Sequence, residues 1–227
     1  MNPAWFEIKY QQQSHCKMKI QGKINAVVRS PTPRIQSEQE QMQSISEYFY
    51  RKSTVWTTLT TLALFVLFLW LILPAESERS AEVIGTSVSP DTSFYYTKSE
   101  LYQIAEDYGE RGRLFYIDTR ITFDIIWPFI YTIFLITVIS WITDKIVLEG
   151  SKVRLLNLVP IGAILFDFLE NISNMVIMFR YPTPTDILAS LAGVFTALKW
   201  VFVGGSFVIF ALAILLWIAV KVNLVKT

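Results

Sequence analysis

Four stretches of the chain lack both the strict alternation of a half-buried strand and the polar face of a surface helix; they are apolar almost throughout. They cover residues 55–73, 121–142, 155–179 and 187–220. At 1.5 Å per residue, about 20 such residues cross roughly 30 Å of hydrocarbon. The pattern therefore predicts an all-α membrane protein, a four-transmembrane-helix bundle. Pro74 is expected to end the first span. The fourth stretch is longer than one crossing needs, so it should tilt, break near Gly204-Gly205, or emerge from the membrane. The first begins too late in the chain and runs too long for a cleaved signal segment, and reads as a retained anchor.

Between the first two spans lies an outer segment, residues 74–120. Thr97-Lys98-Ser99-Glu100 has capping-box spacing, and Leu101, Ile104, Ala105 and Tyr108 follow at helical intervals before Gly109. The spacing predicts a short extracytoplasmic amphipathic helix, with a further helix starting after Gly112 and running into the second span. Tyr95, Tyr96, Tyr102, Tyr108 and Tyr116 suit an interfacial aromatic belt, and the segment is a candidate lid over an outward-facing cavity. Residues 1–53 read as a poorly ordered tail, with Ser30-Pro31-Thr32-Pro33 and a Gln-rich run at 36–43. Met42 opens a stretch resembling an ordinary start, so 1–41 is either a dispensable tail, an upstream start-site artefact, or a regulatory extension. Residues 54–227 form the four-helix transmembrane domain.

Composition supports this division. The chain has 227 residues with mean hydropathy +0.40, and 17% are charged, against about 25% in soluble domains. Net charge is +1, and no basic block with interleaved aromatics occurs, so no nucleic-acid partner is implied. The partners implied are the lipid bilayer and a homo-oligomer or larger membrane complex. Lys and Arg number eight in residues 1–54, three in 143–154 and two at the C-terminus, whereas 74–120 holds five against nine acidic residues. The positive-inside rule then predicts a multi-pass cell-membrane protein with both termini cytoplasmic. Cys16 and His15 are the only residues of their kinds, which excludes intramolecular disulfides, CxxC redox pairs and His-based metal clusters. Both read as incidental residues of the polar tail, and no cofactor is implied.

The chemistry lies inside the apolar stretches. Asp167, Glu170, Asn171 and Asn174 stand at i, i+3, i+4 and i+7 on the third span, a polar stripe on one helix face. A carboxylate near the bilayer midplane costs at least ~2.5–3.5 kcal/mol, so the stripe must face partners or water within the bundle. Lys199 lies about 18 Å into the fourth span and Glu170 about 20 Å from the opposite end of the third. These depths bring Lys199 within reach of Glu170 or Asp167, and leave a surplus negative charge to be protonated or paired elsewhere. On the second span Arg120, Asp124, Pro128 and Tyr131 share a face; Pro128 and Pro160 are candidate kinks. The expected polar network is thus Arg120, Asp124, Tyr131, Asp167, Glu170, Asn171, Asn174 and Lys199. Ala189-x-x-x-Gly193 suggests close helix packing, and Gly204-Gly205 a packing or hinge point.

From residue 100 to 182 the motifs Tyr108-Gly109, Gly112-Arg113, Arg120-x-Thr122-Phe123-Asp124, Trp127-Pro128, Tyr131 and Asp167-x-x-Glu170-Asn171 resemble a group of uncharacterised polytopic, four-span membrane proteins. The resemblance covers about a third of the chain and implies no activity. The topology also resembles that of claudins, without their paired extracellular cysteines. No nucleophile–base pair, phosphate loop or protease motif is present. Three readings follow. The network forms a pocket that binds or passes a small polar solute, ion or proton. It is purely structural, in an accessory or scaffold subunit. Or Asp167 and Glu170 serve as acid and base in an intramembrane enzyme acting on a lipid-linked substrate.

Overall fold

A computed structural model describes residues 33–85 and 88–222. His15, Cys16 and most of the tail, residues 1–32, lie outside the described residues. The described chain falls into two units, divided between Ile45 and Ser46. No strand occurs among the described residues. Four of the helical stretches are long and apolar enough to cross a membrane: Val55–Ile84, Gly109–Thr143, Lys152–Arg180 and Asp186–Lys221.

Helix α1, Pro33–Lys52, occupies sequence expected to be poorly ordered. Its Gln- and Glu-rich composition is compatible with helix on propensity alone. It runs on through Met42, and its last turns carry the buried residues Ser46 and Tyr50. Helix α2, Val55–Ile84, does not stop at Pro74. A π-helical turn at Phe68–Ile72 precedes the proline, and the Leu73 amide reaches back to the Phe68 carbonyl. The widened turn absorbs the ring that would otherwise clash with the preceding turn, and the helix continues to Ile84. In its first part, Val55–Leu67, only Thr58 is buried.

Helix α3, Lys98–Asp107, starts at the expected capping box: the Glu100 amide donates to the Thr97 hydroxyl, and the Thr97 amide to Glu100 at 2.7 Å. Its buried face is Leu101, Ile104 and Ala105. Helix α4, Gly109–Ile121, begins four residues earlier than expected, at a left-handed Gly109 with φ +60°. A break at Thr122 separates it from α5, Phe123–Thr143, which buries Phe134, Leu135, Val138, Ile139 and Ile142 as the central helix. The third apolar stretch opens with a 3₁₀ segment, Lys152–Leu158, and α6, Val159–Arg180. Pro160 sits in the first turn of α6, where its missing amide costs nothing, so it starts a helix and does not kink one. Helix α7, Asp186–Lys221, passes Gly204 and Gly205 without a break. A Cβ at either glycine would meet nothing, so they are not packing points.

Helix α5 packs against α2, α6 and α7, and α6 packs along α7. The end holding residues 88–108 and 181–185 is here named the loop end, and that holding 46–54 and 144–158 the terminal end. An apolar core at the loop end gathers Tyr96, Leu101, Ile104, Tyr108, Tyr116, Ile177 and Met178. Tyr96, Tyr108 and Tyr116 are therefore buried, not part of an exposed belt; of the five tyrosines, Tyr95 is plainly exposed. A second core toward the terminal end gathers Phe134, Leu135, Val138, Ile139, Ile142, Ala163 and Ala213. Along α6 and α7 alike, the buried residues between these two cores are polar, Gly193 apart.

Candidate functional site

The intervening layer contains all eight residues of the expected network, together with one that sequence reasoning missed. On α6, Asp167 to Asn174 spans about 10 Å of rise, and each member of the stripe finds a different partner. Glu170 is fully buried, and its Oε2 lies 2.5 Å from Nζ of Lys199 on α7. Asp167 accepts from the Tyr131 hydroxyl at 2.9 Å and from the Asn171 amide at 3.0 Å. Asn171 in turn accepts from Arg120 at 3.5 Å. Asn174 is held away from the charges: Tyr96 donates to its carbonyl at 3.0 Å and its amide donates to the Tyr116 hydroxyl at 3.3 Å. The i, i+4 pair Arg120–Asp124 closes at 2.5 Å across the break at Thr122. Arg113, by contrast, points elsewhere, donating to the Ala105 carbonyl and stacking on Tyr181.

The missed residue is Asp91. A 3₁₀ turn, Pro90–Thr92, carries it into the bundle, where one oxygen lies 2.5 Å from Arg120 and the other 3.9 Å from Lys199. The segment around it, 88–97, is strapped down at several points. Tyr108 donates to the Val88 carbonyl and Trp200 to the Ser93 carbonyl, each at 2.9 Å. A Cβ on Gly193 would come within 2.0 Å of the Tyr96 carbonyl oxygen, so the glycine is what admits this backbone. The Ala189–Gly193 pair thus receives the connecting segment. Burial alone would push the Asp91 carboxyl up, but Arg120 and then Lys199 hold it below the ordinary carboxylate range. The sequence signal for Asp91 was slight: a lone acid after Ser89-Pro90, in a segment with no periodicity.

Beside this layer lies a cavity of about 870 Å³, within the range of small-molecule sites. Asp91, Arg120, Asp124, Tyr131, Asp167 and Lys199 form its floor. Its walls are largely apolar, with Phe65, Leu69 and Leu73 from α2, Phe123 and Trp127 from α5, and Trp200, Val203 and Phe207 from α7, joined by Glu76, Ser77 and Ser80 of α2 and Thr119 of α4. Glu170, Asn171 and Asn174 do not line it; Glu170 backs Lys199 from behind. Four carboxyl groups (Asp91, Asp124, Asp167, Glu170) therefore share two cations (Arg120, Lys199). Some atoms in the layer also lack hydrogen-bond partners, notably Glu170 Oε1 and Arg120 Nε. In so dry a setting each such interaction counts for more than it would in water. The floor offers both donors and acceptors to whatever enters, and the walls can hold hydrocarbon. Among the described residues no three His, Cys, Asp or Glu side chains are grouped to hold a metal ion.

Comparison with protein-family models, curated proteins and solved structures found no match for this chain.

Proposed function

We propose that the chain is an integral membrane protein whose cavity binds a ligand at a charged floor, without conducting it across the bilayer. In this reading both termini are cytoplasmic and residues 74–120, with amphipathic helix α3, lie on the outer side. The skew of Lys and Arg toward the terminal end supports that orientation.

The observation that carries the proposal is the one-sided placement of the cavity. Its floor is charged, but beneath it Phe134, Leu135, Val138, Ile139, Ile142, Ala163 and Ala213 form a buried apolar cluster, and the nearby Thr137 and Ser206 hydroxyls donate back to carbonyls of their own helices. An ion or proton pathway needs polar groups or water on both sides of the midplane. Here the charged groups end at Asp167, and the next buried charged side chain is Arg154 at the terminal end. A one-sided cavity needs no second copy to complete it. The cost of assembling four acids in hydrocarbon also weighs against a purely structural role, since apolar side chains would pack the same space more cheaply.

Native mass spectrometry of the full chain in mild detergent tests the reading. The wild type should retain a small molecule that Ala81→Trp, which fills the cavity from α2, fails to retain. An adduct of equal mass and occupancy in both proteins would refute it, as would a wild type that carries none.

A further inference from the structure

The cavity sits between two spans that do not pack along their lengths. Helices α2 and α7 each pack on α5. They meet one another at Phe65 and Phe207, whose ring centroids are 6.3 Å apart. Toward the loop end the space between them is the cavity itself. Leu69, Trp200 and Phe207 line it and are also exposed, at 44%, 38% and 38%. The cavity therefore opens sideways, through an apolar rim, at a depth where a membrane protein meets acyl chains.

The floor has a sign as well as a polarity. Both ends of Arg120 are committed, to Asp91 and Asp124, and Lys199 is committed to Glu170. Asp167 is 7% exposed and lines the cavity, yet only neutral donors hold it, Tyr131 and Asn171. Among the described residues it has no ion-pair partner. A buried carboxyl facing a cavity, whose nearest cations Lys199 and Arg120 are already paired with other acids, calls for a further cation. Nearby, Trp127 and Tyr131 stand edge to face with centroids 5.7 Å apart and both line the cavity, aromatic faces that attract an ammonium group. An anionic head would add to an excess of acids over bases; a cationic head reduces it.

We infer that the cavity takes a cationic amphiphile, with a protonated amine or quaternary ammonium head on Asp167 and a single hydrocarbon chain leaving between α2 and α7. The inference rests on the reading of the cavity as a ligand site and narrows its ligand by charge and by route.

Four probes decide it, titrated onto the full chain in an uncharged maltoside detergent with tryptophan fluorescence and thermal midpoint as readouts: dodecylamine, dodecanol, dodecanoate and propylamine. Dodecylamine should bind about tenfold tighter than dodecanol, a difference of about 1.4 kcal/mol, with dodecanoate weakest and propylamine undetectable at the same concentration. Asp167→Asn should reduce the amine–alcohol difference to about twofold. Val203→Trp, which narrows the rim and leaves the floor intact, should weaken dodecylamine and dodecanol alike; it keeps the inference testable if Asp167→Asn does not fold. Equal binding of dodecylamine and dodecanol, or tightest binding of dodecanoate, overturns the cationic head while leaving the cavity reading in place. Propylamine binding as well as dodecylamine overturns the hydrocarbon chain and the lateral route. Twelve-carbon ligands that bind Ala81→Trp as they bind the wild type overturn the cavity reading itself.

Discussion

At the terminal end Ser46, Ser140 and Asn157 form a polar layer in which every group is answered. The Ser46 hydroxyl donates to the Asn157 carbonyl at 2.8 Å, and the Asn157 amide donates to the Ser140 hydroxyl at 2.9 Å and the Ser46 carbonyl at 3.3 Å. The layer is neutral at its centre. Arg154 flanks it, paired with Asp144 at 3.0 Å and lying 3.7 Å over the Tyr50 ring, whose hydroxyl donates to the Arg154 carbonyl. Burial pushes the Tyr50 phenol up to about 12, so it stays a donor at neutral pH. The cavity floor with Glu170 behind it is the opposite case: two cations for four carboxylic acids, unanswered atoms, and an adjoining void. A satisfied neutral network locks helices in register and has no further use for a ligand. An unbalanced charged one beside a cavity is poorly suited to structure alone. Both layers are buried polar chemistry; charge balance and the void separate a joint from a site.

The contrast is broken most forcefully at Lys199. Lys199→Met strands Glu170 without its cation and should cost about 3–5 kcal/mol, the usual penalty for halving a buried ion pair. Adding Glu170→Gln should restore a good part of the loss, because the remaining group is then neutral. Denaturant unfolding in detergent micelles measures both. A Lys199→Met loss below about 1 kcal/mol would mean that the floor is wetter than its geometry implies.

Next in size is Gly193→Ala. The new Cβ would collide with the Tyr96 carbonyl, and the overpacking should cost about 1–3 kcal/mol. The damage should be local. Hydrogen exchange should rise in residues 88–97 and α3, taking Asp91 off the floor, while the Ser46–Asn157 layer stays protected. Uniform loosening of both ends would show that the two layers are not independent.

Asn157→Ala probes the other side of the comparison. It leaves the Ser46 and Ser140 hydroxyls short of partners and should cost about 1–3 kcal/mol. It should leave cavity occupancy in native mass spectra unchanged. Loss of the bound species in this variant would make the neutral layer part of the site.

How far the sequence foretells this architecture differs between the two layers. Asp167, Glu170, Asn171 and Asn174 share a helix face by spacing alone, and the depth of Lys199 along its span places it level with Glu170. Such arguments work because a long apolar helix fixes both azimuth and height. They fail where the chain leaves the helix: Asp91 reaches the floor on a short turn whose path no periodicity encodes. They fail too for isolated polar residues. Ser140 and Asn157 each stand in an apolar stretch with no charged or amide residue at helical spacing within it to mark a face, and Ser46 belonged to a segment whose helix was not expected. Pro74 misled because a proline is read as a stop, whereas one widened turn lets the helix pass. The buried tyrosines misled because an aromatic belt and an aromatic core have the same composition, and only the packing of residues 88–108 onto α6 and α7 tells them apart.

The smallest effect is also the cleanest test of whether the loop end alone responds to acid. Glu100 caps α3 from the surface, and its hydrogen bonds to the Thr97 amide and then the Thr97 hydroxyl hold its carboxyl below the usual value. Asp91 is likewise held low, burial opposing and Arg120 and Lys199 prevailing. For both, the folded carboxyl is the stronger acid. Each therefore adds stability that is fully present above the ordinary carboxylate pKa and fades as pH falls through the lowered folded value. The hydroxyl–amide layer at the terminal end contains no carboxyl and should not follow. Hydrogen exchange at about pH 7 and about pH 3, corrected for intrinsic rates, should show residues 98–107 losing protection relative to residues 46–52. Glu100→Gln, which keeps a carbonyl for the Thr97 amide, should flatten that response in α3. If the two ends lost protection in parallel, acid would be acting on the bundle as a whole, and the separation of site from joint would have to be drawn elsewhere.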